Sequence, residues 1–345
     1  MNDWISVVRP DTIVLVYAVL PSGIAAWCRR GNSLRGRVLQ VRPEDVERDA
    51  RTLTRMAASP HSNSQELTAV AERLRRVLLD PFHGEISANA PLLIDADQWL
   101  SLIPFSLLSG SSVLSPGTGN ATALISGLLA AKRDPAEKPL SSSSRALIVS
   151  VSSGLAPGGD RLPALPLAQR EGAQLAARIR NPVVLLDGAA SSEAVARESA
   201  GIEIFHFAGH GWSDGGNGAL ILSPDSDTNS PRWLASAQVA SQNWSHCRLA
   251  VLSACFSGAG EDQGPVNSDS LVRAFLAAGA RQVIAARWSV DSAATESLMN
   301  EFYERLFAGA APAAALAAAR ARIAATPGWE HPYFWAGFDL YGTQY

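Results

Sequence analysis

From residue 145 onward, short apolar runs rich in β-branched residues alternate with stretches of helical spacing. "RALIVSVS" predicts a strand and "PLAQREGAQLAARIR" a helix. "PVVLLDG" predicts a strand, and "SSEAVARESA" a helix with a serine cap and an acidic first turn. "IEIFHFAG", the short "GALILS" and "RLAVLSAC" continue the strands, with the brief helix "ASAQVASQ" before the last of them. "SDSLVRAFLAAGA" reads as a helix, "RQVIAARW" as a strand, and two helices occupy roughly 292–326. This alternation predicts an α/β fold with a mostly parallel central sheet covered by helices on both faces. In such sheets, ligands and chemistry gather beyond the carboxyl ends of the strands.

The earlier part of the chain has a different pattern. "TIVLVYAVL" and "GIAAWCRR" predict paired strands around a Pro-Ser-Gly turn. "PEDVERDARTLTRMAA" and "SQELTAVAERLRRVLLDPF" have helical spacing with arginines on the wet face, and "PLLIDADQWLSLIPFSLL" reads as a strand, a turn and a second apolar run. Composition shifts over 111–145 towards Ser, Pro and Gly, and 131–145 reads as an exposed linker. The expected division is a smaller α+β subdomain over 1–145 and a larger one over 146–345. No 34-residue helical repeat is evident.

Composition narrows the function classes. With 345 residues, 47% hydrophobic, 18% charged and a net charge of −3, the chain has no nucleic-acid footprint and no affinity for an anionic membrane. The apolar run at 12–20 is too short to span a bilayer, and the N-terminus lacks the basic region and apolar core of a signal peptide. Cys28, Cys247 and Cys255 are an odd, sparse set, so a reducing cytoplasm is expected and a disulfide framework is not.

Two segments bear candidate chemistry, "IFHFAGHGWSDGG" with His210 and "LAVLSACFSGAG" with Cys255. Each places its residue where an apolar strand gives way to glycines. Two parallel strands ending side by side would unite them. An imidazole there takes the thiol proton, and the thiolate attacks a carbonyl to form an acyl-enzyme. The imidazolium then protonates the leaving amine. The N–H groups of Gly211 and Cys255 are candidates to hold the oxyanion. A zinc set of His206, His210, Cys247 and Cys255 lacks a Cys-x2-Cys pair, and neither nucleotide-binding glycine motif is present, so no metal or cofactor is expected.

"FHFAGHG" and "LAVLSACFSGAG" resemble the paired His-Gly and Ser-Ala-Cys motifs of CHAT domains, caspase- and separase-like cysteine peptidases often found beside tetratricopeptide repeats. "TIVLVYAVLPSGIAAWCRRG", "LLIDADQWLSLIPFSLL", "LPALPLAQREGAQLA", "RQVIAARWSVD" and "HPYFWAGFDLYG" resemble further segments of that family, in the family's order. The resemblance implies a caspase-like three-layer sandwich, with Cys255 as nucleophile, His210 as base and Gly211 at the oxyanion-hole position. It also implies that Asp291 lines the pocket for a basic residue before the scissile bond, against the plainer reading that Asp291 caps a helix starting near 292.

Phe256, where many relatives have a polar or acidic residue, and the lack of a histidine before the Pro-Phe depart from the family pattern. His206 and His331 read as structural, and Glu171 as complementing a helix N-terminus. Asp214 is a weak candidate to orient His210, and Glu261, Asp262 and Asp269 sit in a loop that either is solvated or gates substrate. The implied function is a cytoplasmic cysteine endopeptidase acting on a protein substrate, controlled by a separate sensor or regulatory protein and serving bacterial defence against viruses or cell death. The rival is a catalytically silent caspase-like scaffold.

Overall fold

A computed structural model describes residues 11–87, 90–109, 122–125, 138–213, 217–224, 230–256 and 269–342; at 122, 123, 125, 255, 256, 269 and 270 only the backbone is described. Asp214, Glu261, Asp262 and the side chain of Asp269 lie outside the described residues.

The chain opens with β1 (Ile13–Leu20), β2 (Gly23–Arg30) and β3 (Ser33–Leu39), an antiparallel meander. Two helices follow, α1 (Pro43–Ala57) and α2 (Ser64–Leu78). In α1 the buried Val46, Ala50, Leu53 and Ala57 recur at helical spacing behind a proline and an acidic first turn. Asn63 caps α2 by accepting from Gln65 N and Glu66 N at 2.9 and 3.1 Å. β4 (Leu92–Ala96) adds in parallel to β1, and β5 (Thr122–Ile125) in parallel to β4.

The next stretch contains β6 (Ala146–Ser150), α3 (Pro166–Arg178), β7 (Val183–Leu186), α4 (Ser192–Glu198) and β8 (Ile204–Ser213). It continues with β9 (Gly218–Leu222), β10 (Arg232–Ala235), α5 (Ser236–Ala240), β11 (Leu249–Phe256), α6 (Asp269–Ala277), β12 (Gln282–Ala286) and α7 (Ser292–Phe307). Last come α8 (Pro312–Ala324) and β13 (Phe338–Gly342).

These elements form two units, Met1–Pro135 with Ala311–Tyr345, and Ala136–Ala310. These units differ from the expected division at 145 at the far end, where 311–345 groups with the first unit. The reason is strand pairing. β13 runs parallel to β5, with Tyr341 opposite Leu124, and buried Arg320 of α8 pairs with Asp339 of β13 at 2.8 Å. Within the expected linker, Leu140 and Ser144 are buried.

In the second unit the parallel order is β7-β6-β8-β11-β12. β8 is its centre and is buried on both faces. Phe205 packs against Trp244 and Phe275 of α6 at ring separations of 5.2 and 5.4 Å. His206, on the opposite pleat, meets Tyr303 of α7. Helices thus cover both faces, as the alternating pattern predicts. Each large aromatic in this core contributes about 1.5–3 kcal/mol of burial. Among the described residues, no helix is long and apolar enough to cross a membrane.

Helix α3 lies close on β6 because Gly172 leaves room for buried Ser150. A Cβ at Gly172 would overlap Ser150 Oγ. Alanine should gain roughly 0.5–1 kcal/mol of helix propensity but lose about 1–3 kcal/mol to overpacking. Gly172→Ala is thus expected to lower stability in urea unfolding, and Ser150→Ala in the same chain to recover part of the loss. A Gly172→Ala protein more stable than wild type would contradict this packing.

Candidate active site

Register brings the two candidate residues together. Glu203 O accepts from Arg248 N and Leu249 N at 2.8 and 3.1 Å, and Arg248 returns to Glu203 Oε1 at 3.1 Å. β8 and β11 therefore start level, with Ile204 opposite Leu249. Because both strands then advance residue for residue, Cys255 falls opposite His210 and Phe256 opposite Gly211. Parallel neighbours stand about 4.8 Å apart.

His210 was expected beyond the end of its strand, but β8 continues through Ser213 because β9 pairs antiparallel with Gly211–Ser213. On that side, β6 flanks β8 only up to Ala208, opposite Ser150. Gly209 and His210 thus sit where one neighbouring strand has ended and the next has not begun, the kind of position where open sheets place their sites. A Cβ at Gly209 would come within 2.9 Å of the Phe207 ring and 3.2 Å of Val151 O, so glycine is required there.

The segment after β6 fills this gap and supplies a carbonyl. His210 Nε2 lies 2.7 Å from Pro163 O. A carbonyl only accepts, so Nε2 has the proton and Nδ1 is the basic nitrogen. Burial lowers the His210 pKa below the ordinary histidine value, and the bond to Pro163 opposes this only in part. The imidazole is consequently neutral at pH 7, the state a general base requires.

Beside His210 is a cavity of roughly 460 Å³ whose walls include Pro163, Glu171, Ser253, Val290 and Thr295. Glu171, Ser253 and Thr295 are buried, and Glu171 Oε1, Ser253 Oγ and Thr295 Oγ1 have no hydrogen-bond partner among the described residues. Leaving Ser253 Oγ and Thr295 Oγ1 unpaired costs about 1–3 kcal/mol each unless water or a ligand meets them. Ser253 lies two residues before Cys255 on β11.

Glu171 is not at a helix N-terminus, as expected, but is the sixth residue of α3, turned inward. Its Oε1 is 3.0 Å from His206 Nε2, a close approach at an angle that makes no hydrogen bond. His206 Nδ1 pairs with Tyr303 OH at 3.0 Å. Burial, then the charge of Glu171, raises the Tyr303 pKa, so the phenol keeps its proton. His206 is structural. So is His331, whose Nδ1 accepts from Tyr333 N at 3.1 Å and whose Nε2 pairs with Ser62 Oγ at 3.0 Å.

Asp291 caps α7, its Oδ1 accepting from Ala293 N and Ala294 N at 3.0 and 2.8 Å. It is not among the residues lining the cavity, although Val290 and Ser292 are. Gly211, one residue past His210, lies in the ladder between Phe256 and Leu220. Cys247 precedes β11 at the end remote from Cys255, and burial pushes its thiol pKa up. Among the described residues, no group of three His, Cys, Asp or Glu is arranged to hold a metal. Sequence reasoning missed Pro163, Ser253 and Thr295. Ser253 was within reach through the period of two that ends at Cys255, whereas the Pro163 contact is made by a backbone atom.

A helix-covered parallel sheet with cysteine and histidine level on adjacent central strands has the architecture of caspase-like cysteine peptidases. The chain belongs to the CHAT domain family, whose model matches residues 68–343. Its fold is similar to separase of Saccharomyces cerevisiae in complex with securin, with a TM-score of 0.59 and 10% identity, covering 99% of this chain and 30% of that one. It is also similar to RgpB of Porphyromonas gingivalis, with a TM-score of 0.50 and 11% identity, covering 87% of this chain and 77% of that one.

Human Tetratricopeptide repeat protein 28 is 28% identical over 313 residues, covering 75% of this chain and 12% of the relative. The mouse protein of that name is 39% identical over 99 residues, covering 28% and 4%. The chain therefore corresponds to a small part of these curated relatives.

With the thiol removed by Cys255→Ala, the His210 ring should titrate below about 6.5. Its contribution to stability should be present above that value and be lost as pH falls towards the lower folded-state pKa. Ring-proton NMR checks this, and a value above 6.5 would contradict the buried, neutral imidazole.

Proposed function

We propose that the chain is a cysteine endopeptidase with a Cys255–His210 dyad. The register of β8 and β11, which sets the two residues opposite each other, is the observation that supports this reading most. In the proposed reaction, His210 Nδ1 takes the proton of Cys255 and Sγ bonds to the substrate carbonyl carbon. The N–H groups of Gly211 and Cys255 hold the resulting oxyanion. Collapse breaks the C–N bond, and the amine leaves with the proton from His210. Water then gives a proton to His210 and its oxygen to the acyl carbon, releasing the acid and the thiol.

The preferred substrate is a protein with a basic residue before the scissile bond. Glu171 gives the cavity a buried carboxyl group, and Asp291, the cap of α7, stands in sequence between the lining residues Val290 and Ser292. Control by a separate sensor or regulatory protein in the cytoplasm, within bacterial antiviral defence or cell death, completes the proposal. A second reading, the catalytically silent scaffold, draws on the curated relatives, which are named for tetratricopeptide repeats.

A thiol-reactive peptide probe ending in arginine should label wild type and leave Cys255→Ala unlabelled. Absence of labelling under every trigger tried would favour the scaffold. In a proteome-wide comparison of new N-termini, cleavage is expected after Arg or Lys. Glu171→Gln should lower kcat/KM for such sites by about 30-fold or more, as expected for a lost buried charge partner. New ends after neutral or acidic residues would remove both carboxylates from substrate recognition.

A further inference from the structure

The carbonyl that fixes His210 belongs to a loop footed on one carboxylate. Residues 152–165 fold back on themselves. Leu155 bridges Arg161, Ala156 N donates to Asp160 O at 2.8 Å, and Leu162 N donates to Gly154 O at 3.0 Å. The loop closes where Leu165 N donates to Ser152 O at 2.7 Å, two residues beyond Pro163. Asp187, just past β7, accepts at Oδ1 from Ser152 N and Ser152 Oγ at 2.8 and 2.9 Å, and at Oδ2 from Gln169 Nε2 of α3. Asp187 has φ of 41°, in the left-handed region that Asp enters more readily than most residues with a side chain.

Resting on the dyad reading above, we propose that Asp187 is a positioning residue for His210. Its carboxylate clamps the base of the 152–165 loop to α3, and the clamped loop presents Pro163 O to His210 Nε2–H. The imidazole is thereby held in the tautomer whose Nδ1 is free to take the thiol proton. Without the clamp, Pro163 O is no longer fixed, and the ring populates the Nδ1–H tautomer, which cannot act as base at that nitrogen.

The test uses the full chain with ¹⁵N-labelled histidine, reading the His210 ring tautomer by NMR and kcat/KM on an arginine peptide. Wild type should show Nε2–H. Asp187→Ala should show a mixture and lose about 100-fold in kcat/KM, the scale of a misplaced reacting group. Asp187→Asn, which keeps an oxygen for Ser152, should recover the wild-type tautomer and most of the rate. The proposal is overturned if Asp187→Ala keeps the wild-type tautomer, or if Asp187→Asn is as impaired as Asp187→Ala. Should Asp187→Ala fail to fold, Ser152→Ala combined with Gln169→Ala must shift the tautomer part of the way, and an unshifted ring overturns the proposal. A wild-type chain inactive under all conditions would sink the peptidase reading, while the tautomer pattern would still decide the role of Asp187.

Discussion

Glu203 joins three strands at one level. Its N–H donates to Arg145 O, its O accepts from Arg248 N, and its two carboxylate oxygens meet Arg145 N and the Arg248 guanidinium. β6, β8 and β11 therefore begin in step, and every later pairing follows from that start. The constraint is strict because side chains alternate along a strand. A slip of one residue would place Cys255 level with a neighbour of His210 and exchange the side chains packed on one buried face with those packed on the other. The pairing of Cys255 with His210 is thus a consequence of how the far ends of the strands are joined, six residues away in each case.

The environment of His210 balances two opposed effects. Burial favours the neutral ring, while the bond to Pro163 O favours the charged one and fixes which nitrogen has the proton. Burial is the larger effect, so the ring is neutral with a defined orientation. Cys28 and Cys247 show the contrast, since burial raises both thiol pKa values away from reactivity.

Much of this was legible in the sequence because the decisive strands are buried on both faces. "LAVLSAC" is an apolar run up to its polar end, "IFHFAGHG" is broken before its end by His206 alone, and such runs declare central parallel strands. β3 was not legible, since "SLRGRVL" is short and exposed along nearly its whole length, and its alternating Leu34 and Val38 face no core. The end of β8 escaped because it depends on pairing with β9, which local sequence does not encode. Glu171 was misplaced because a glutamate near a helix start complements the dipole or faces inward according to its rotation about the axis. That rotation is fixed here by contact of α3 with β6 and β8. The carboxyl group in the cavity wall was the least legible feature, as its place arises from α3 packing and not from any motif.

The hairpin that supplies Pro163 O separates two demands usually in conflict. Its stem is tied to the sheet and α3, whereas its tip, Gly158 and Gly159, projects into open space, where an added Cβ would meet no atom within 4 Å. Changes at Gly158 leave the bonds of the stem in place, whereas Gly159, with φ of 90°, favours glycine. Lineages sharing this scaffold are therefore free to vary the tip while the stem that presents Pro163 O to His210 stays constant, so evolvability is concentrated at one short stretch of chain.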